Sequence, residues 1–126
     1  MRTTLTILLV LTFATSAAAS PPTACTVDPN PFSPSTSPTW TLTAPGLAPD
    51  RWYEVSVNRQ QLDVWRADDT GLVQQTVLTE QYVPLFTLQP GAADVDVRSA
   101  YDHDAGTPKN VPGTAGSSRC AFDVVP

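Results

Sequence analysis

Beyond its first twenty residues, the chain alternates apolar and polar positions over short stretches, the pattern of β-strands with one buried face. Clusters of Pro, Gly and Asp separate these stretches, and no apolar repeat with the period of a helix persists. The pattern predicts strands at residues 24–27, 39–43, 52–58, 62–67, 72–78, 85–88, 94–99 and 119–125. We therefore expect about seven or eight short strands.

The alternation also predicts which side chains face the core. Tyr53, Val55 and Val57 fall on one face of their strand, and Phe122 and Val124 fall on one face of the last strand. Strands with one apolar and one polar face are typical of antiparallel sheets that are wet on one side. Two such sheets packed face to face bury both apolar faces, so the expected fold is all-β, an antiparallel β-sandwich.

The first residues have the features of an export signal. Arg2 gives a basic start, residues 5–13 are an apolar run, and Ala17-Ala18-Ala19 supplies small residues for cleavage. Nine apolar residues are too few to cross ~30 Å of hydrocarbon as a helix. We expect residues 1–19 to be a cleaved secretory signal peptide and residues 20–126 to form a single secreted domain.

Export changes the interpretation of the two cysteines. In a small exported domain, Cys25 and Cys120 are expected to form a disulfide, which would join the first strand to the last. The alternative is lipidation of Cys25. A lipidation motif would place a leucine-like residue three positions earlier, and Pro22 stands there. The disulfide is the prediction that we retain.

Several segments, taken in order, resemble a known family. They are Cys25-Thr26-Val27-Asp28-Pro29-Asn30-Pro31, Gly46-Leu47-Ala48-Pro49, Tyr53-Glu54-Val55-Ser56-Val57, Ala67-Asp68-Asp69-Thr70-Gly71 and Cys120-Ala121-Phe122-Asp123-Val124. Together they resemble the immunoglobulin-like or fibronectin type III-like β-sandwich domains of secreted bacterial proteins, particularly actinobacterial ones. The resemblance implies an all-β sandwich whose first and last strands are joined by the cysteine pair. Separately, the segment from Gly46 to Val57 matches a corner in which a tyrosine hydroxyl bonds a backbone group at a sandwich edge.

The chain departs from two relatives of that family. Antibody domains have a disulfide between central strands that packs on a tryptophan, and no cysteine pair here fits that arrangement. Carrier apoproteins of the neocarzinostatin type are also similar, being secreted, acidic single sandwiches that hold a small chromophore. They normally have two short-range disulfides, whereas this chain has one long-range pair. Members of the wider family serve as spacers, adhesion modules or binding modules, so the resemblance leaves the function open.

Charge and candidate chemistry narrow the function classes. The formal net charge of −5 disfavours nucleic acid and anionic membranes as partners. The only histidine, His103, stands in an Asp-His-Asp segment that we interpret as a solvated loop, and no Gly-x-Ser-x-Gly elbow is present. Asp68 and Asp69 are interpreted as a tight turn in preference to a calcium site. We expect no enzyme activity, no metal and no cofactor.

Aromatic side chains are the remaining candidates for ligand binding. Trp52 and Trp65 lie opposite the apparent core faces of their strands, and Tyr101 begins a long Gly- and Pro-containing segment, residues 102–118. Exposed aromatics can stack on sugars or anchor proteins. The alternative is that Trp65 packs inward and Trp52 covers an edge. We expect a monomeric, non-catalytic module that binds a protein at or outside the cell surface, with a carbohydrate or small ligand as the alternative partner.

Overall fold

The computed structural model describes residues 23–100 and 116–126. Within them lie eight strands and two short helical turns. In chain order these are β1 (Thr23–Ala24), β2 (Thr26–Asp28), β3 (Thr39–Ala44), β4 (Trp52–Val57), β5 (Gln60–Arg66), β6 (Val73–Leu78), a 3₁₀ turn (Thr79–Gln81), α1 (Val83–Phe86), β7 (Gly91–Ser99) and β8 (Ser117–Val124). The predicted export signal and most of the segment 102–118, including His103, lie outside the described residues.

The strands form two sheets. The five-stranded sheet has the order β1-β8-β7-β4-β5, and the three-stranded sheet has the order β2-β3-β6. Every pairing is antiparallel except that of the two-residue β1, which runs parallel to β8. Buried side chains from both sheets form one apolar cluster. The all-β sandwich predicted from the alternation is confirmed.

The core follows the predicted faces. Phe122 of β8 lies edge-on to Phe32 and to Trp40, with ring centroids 6.1 Å apart in both pairs. The other fully or almost fully buried large side chains are Leu42, Tyr53, Val55, Val57, Val73, Leu85, Val95 and Val97. Trp40 is fully buried, and its indole Nε1 has no hydrogen-bond partner among the described residues. The aromatic cluster is therefore held by packing and not by polar contacts at the indole.

The predicted first strand is divided between the two sheets. β1 pairs with β8 and β2 pairs with β3, and Cys25 stands between them where the chain changes sheets. Cys25 and Cys120 form a disulfide with their Cα atoms 5.1 Å apart. The predicted pairing of the two cysteines is confirmed, and it joins the first strand region to the last strand.

The predicted strand at residues 85–88 is wrong. These residues fall in and after α1, a single helical turn with Pro84 in its first turn. Proline is accepted there because its missing N–H would have no partner within the helix. Leu85 is fully buried, so the apolar run correctly indicated a buried position. However, a run of four residues does not distinguish a strand from a buried helical turn.

A predicted corner precedes β4. The Tyr53 hydroxyl accepts a hydrogen bond from the Ala48 N–H at 2.9 Å, as the residues before it indicated. At the other end of β4, Asn58 and Arg59 both have positive φ, 48° and 68°, and turn the chain tightly into β5. Two successive residues with positive φ match the twist of a two-residue β-hairpin.

Candidate functional site

The free edge of β6, which we call the β6 edge, is the side of Val73–Leu78 that faces away from β3. β6 pairs with β3 over six successive residues, and no other strand among the described residues pairs with it. Thr79 donates its N–H to the Pro38 carbonyl at 2.9 Å, which continues the ladder towards β3. Because backbone groups alternate sides along a strand, those of Gln74, Thr76 and Leu78 point to the free edge.

The β6 edge differs from the other sheet edges in the described chain. β1 has two residues and β2 has three, too few to present a long edge. β5 has a bulge where its register shifts opposite Val55 and Ser56. It also places Asp63 opposite the buried Val55, on the inner face of the sheet. Short strands, bulges and inward charges protect edges from pairing, and β6 has none of these features.

A cluster of exposed apolar side chains, which we call the apolar patch, follows the β6 edge. Leu78 is 43% exposed, Val83 is 58% exposed and Phe86 is 45% exposed. Leu78 and Phe86 line a groove of about 590 Å³, which we call the Leu78 groove. The remaining lining residues are Pro34, Ser35, Thr36, Ser37, Pro38, Thr79 and Glu80. Large exposed apolar side chains beside a groove are typical of binding surfaces.

Hydrogen bonds hold the walls of the Leu78 groove in place. The buried Thr79 donates its hydroxyl to the Ser37 carbonyl at 2.7 Å, and its N–H bonds Pro38. Within the opposite wall, the Ser33 N–H bonds the Ser37 hydroxyl at 3.1 Å, and the Ser37 N–H bonds the Ser33 carbonyl at 2.7 Å. The groove is therefore formed before a ligand arrives, which reduces the ordering that binding must impose.

The α1 turn is also anchored. Leu85 points into the core while Val83 and Phe86 remain exposed on the same turn. Just before α1, Tyr82 donates its hydroxyl to Asp63 Oδ2 at 2.8 Å, and this hydrogen bond is the main cause that raises the pKa of Tyr82. One buried leucine and one hydrogen bond thus fix the segment that presents the apolar patch.

The charges near the β6 edge are acidic. Between Ala67 and Tyr82 the charged side chains are Asp68, Asp69 and Glu80, and Glu80 lines the Leu78 groove. Asp68 Oδ1 accepts hydrogen bonds from the Thr70 hydroxyl at 2.6 Å and from the Thr70 N–H at 2.8 Å. The bond from the Thr70 side chain is the largest cause that lowers the pKa of Asp68. Acidic side chains therefore stand at both ends of the edge, and the predicted turn at residues 68–71 is confirmed.

The outer face of the five-stranded sheet has a different character. Arg98 lies 3.8 Å from Glu54 and 3.6 Å from Asp96, and Arg119 lies 3.8 Å from Asp96. These side chains neutralise one another across β4, β7 and β8. Exposed ion pairs of this kind contribute little to stability. The concavity of about 680 Å³ beside them is consequently polar and nearly balanced in charge.

The structure separates the two tryptophans that the sequence singled out. Trp65 pairs with the buried Tyr53, so it lies on the inner face, where it packs half-buried against the core. Trp52 pairs with Arg66 on the outer face. Tyr101 lies outside the described residues. The alternative of an inward Trp65 is confirmed, and the two indoles do not share one surface. A ligand-binding role for Trp52 stays a prediction.

The sequence pattern does not identify the apolar patch. It predicts a strand at Leu78 and, wrongly, another at Phe86, so it marks neither residue as part of an exposed surface. One signal could have pointed to the β6 edge, because Val73–Leu78 contains neither a charged residue nor proline. Among the described residues, no group of three or more possible metal ligands lies together.

Comparisons with known protein families, with curated proteins and with solved structures found no match for this chain. Among the described residues, no helix is both long and apolar enough to cross a membrane.

Proposed function

We propose that this chain is an exported, non-catalytic immunoglobulin-like module that binds a partner protein at or outside the cell surface. The observation that carries the proposal is the apolar patch of Leu78, Val83 and Phe86, exposed beside a preformed groove. Exposed apolar clusters of this kind form the buried centres of protein interfaces. The module acts as a monomer before it meets its partner.

Two features support the immunoglobulin-like part of the proposal. The two sheets place sequence-distant strands side by side, as in β7 next to β4, which is typical of Greek-key sandwiches. The Tyr53 hydroxyl bonds the backbone of Ala48, five residues earlier, and a tyrosine corner of similar kind occurs in immunoglobulin-like domains.

The export part of the proposal rests on the residues before the domain and on the disulfide. Residues 1–19 have the composition of a signal peptide. The Cys25–Cys120 disulfide is the kind of bond that persists in an oxidising compartment. The N-terminal sequence of protein recovered from the culture medium tests this part, and we expect it to begin at Ser20.

Site-specific photocrosslinking tests the binding function. Benzoylphenylalanine would be introduced at position 83 or 86 in the full chain, in the cells that export it. The matched control is position 121, because Ala121 is equally a surface residue but lies on the five-stranded sheet. We expect a discrete crosslinked product from positions 83 and 86 and none from position 121. No crosslink from either patch position, or equal crosslinking from position 121, would contradict the proposal.

A further inference from the structure

We propose that the β6 edge accepts an extended segment of the partner protein as an added strand, and that this segment is basic. The inference rests on the proposed protein-binding function and specifies how the partner is held. It starts from the backbone of Gln74, Thr76 and Leu78, whose N–H and C=O groups face away from β3. An incoming strand would pair with these groups and extend the three-stranded sheet to four strands.

The side chains of β6 permit that addition. Val73–Leu78 contains no charge, no proline and no bulge along its pairing with β3. A regular edge of six residues presents its hydrogen-bonding groups at the spacing that an extended segment requires. The Thr76 hydroxyl is within 2.8 Å of the Thr41 hydroxyl on the neighbouring strand, so it is already engaged on the sheet face. In the described part of the chain, no strand pairs with this edge.

The Leu78 groove selects a side chain of the added segment. It lies at the C-terminal end of β6, where the exposed Leu78 and Phe86 offer apolar contact. An aliphatic or aromatic side chain of the partner would contact the exposed Leu78 and Phe86 there while the backbone pairs with the edge. In strand addition, backbone bonds supply affinity and pockets for alternate side chains supply specificity.

Charge decides between a foreign segment and a second copy of this chain. Asp68 and Asp69 stand before β6 and Glu80 stands after it, with no basic residue between Ala67 and Tyr82. In a two-fold antiparallel pairing centred on Thr76, Glu80 of each copy would approach the 68–71 turn of the other. Like charges would then meet at both ends, and each chain already has a net charge of −5. A segment with basic residues at its ends meets the same carboxylates favourably.

Selection from a peptide library tests the inference. The mature domain would be immobilised, and a phage-displayed library of random dodecapeptides would be selected against it. We expect the recovered peptides to alternate β-branched or aliphatic residues with polar ones, and to have a net positive charge. The leading peptide would then be synthesised and its affinity measured by fluorescence anisotropy. Two versions of this peptide would have N-methyl groups on alternate backbone nitrogens, one on the odd-numbered and one on the even-numbered residues. Only the version whose methylated nitrogens face β6 should lose binding.

The decisive variant is Thr76→Pro, with Thr76→Val as its matched control. Both lose the hydroxyl contact with Thr41, but only proline removes the N–H at the free edge. We expect Thr76→Pro to weaken the peptide at least about tenfold and Thr76→Val to change it less than about twofold. If Thr76→Pro does not fold, as judged by circular dichroism, Gln74→Pro with Gln74→Ala as control replaces it.

Four outcomes would overturn the inference. They are no enrichment of peptides, acidic consensus peptides, equal binding by the proline and control variants, and self-association of the wild-type domain through β6 in sedimentation equilibrium. The proposed function fails separately, through the photocrosslinks at positions 83 and 86. A module that crosslinks to a protein there, yet binds its partner equally well after Thr76→Pro, would be a binding module without strand addition.

Discussion

Gly71 illustrates how a single residue is constrained by the fold. It is buried at the end of the turn before β6, with φ of +83°. A Cβ at this position would overlap the carbonyl oxygen of Leu47, which is a backbone atom and cannot move aside as the end of a flexible side chain could. Both the backbone conformation and the available space therefore require glycine at this position.

We expect Gly71→Ala to lower the free energy of unfolding by about 2–3 kcal/mol, because it combines an unfavourable φ with a steric overlap. Urea unfolding of the purified domain measures this. Gly91→Ala is the control, since Gly91 also has positive φ, +130°, but a Cβ there would meet nothing within 4 Å. Its loss should be smaller, about 1 kcal/mol. Equal losses in the two variants would show that the overlap with Leu47 is unimportant.

Residue-level patterns predicted the buried faces of β4 and β8 well. Tyr53, Val55 and Val57 point inward as expected, because alternation along a strand depends only on the local backbone. The orientation of Trp65 is ambiguous in the sequence for a different reason. Its strand contains a bulge, which shifts the alternation by one residue relative to β4. A bulge depends on the partner strand, so the chain pattern alone does not locate it.

At the scale of elements, the disulfide is the main covalent constraint. It joins Cys25 to Cys120, which are 95 positions apart in the sequence. Cys25 lies where the first strand region changes sheets, and Cys120 lies in the last strand. Without it, the terminal segments are held by the short β1 and β2 pairings and by the backbone bonds of Phe32 with β8. The first strand region thus depends on this bond more than the central strands do.

We expect the double variant Cys25→Ala and Cys120→Ala to lose about 3–5 kcal/mol of unfolding free energy, since closing a loop of this length restricts the unfolded chain strongly. That loss is comparable with the whole stability of a marginal domain. Urea unfolding measures it, and the wild-type protein under reducing conditions should match the double variant. A loss below about 1 kcal/mol would mean that the packing of β8 alone secures the ends.

The segment from β6 to β7 is the element that sequence patterns described worst. Residues 85–88 were predicted as a strand, yet the chain forms α1 and exposes Val83 and Phe86. A four-residue apolar run has too few positions to show a period of either two or 3.6. The contact that settles the conformation, Tyr82 with Asp63, joins residues 19 apart in the chain. No local pattern records such a pairing.

At the scale of the whole molecule, the Tyr82–Asp63 bond ties the connection between the two sheets to the edge of the five-stranded sheet. The hydrogen bond to Asp63 raises the pKa of Tyr82 above its ordinary value of 10.0. The folded state therefore favours the neutral phenol. This contribution to stability is fully present below about pH 10 and is lost as the pH rises through the raised pKa of the folded state.

We expect the wild-type protein to lose more stability than Tyr82→Phe as the pH rises from about 9 to about 11, because only the wild type has this phenol to ionise. Urea unfolding midpoints across that range measure the difference, and other groups that titrate there are shared by both proteins. Below pH 9, Tyr82→Phe should be the less stable of the two. Parallel pH profiles would show that the hydrogen bond to Asp63 is not maintained in solution.

The acidic surface is a second property of the whole molecule. The exposed ion pairs around Arg98 and Arg119 neutralise the outer face of the five-stranded sheet. The excess negative charge consequently lies elsewhere on the surface, and part of it lies at both ends of the β6 edge. A basic segment is thus attracted towards that edge, whereas two copies of the chain repel each other.

The amino-acid sequence by itself determined the strand content, most of the inward faces, the tyrosine corner and the cysteine pairing, because each follows from local alternation or from residue types alone. Only the tertiary structure decided which strand lies at an edge, on which side of the sheet each tryptophan falls, and where apolar side chains stay exposed. Those properties depend on which distant strands pair. The outward backbone groups of β6 are unpaired because no described strand lies beside that edge. The residues of β6 do not by themselves specify which strands lie next to it.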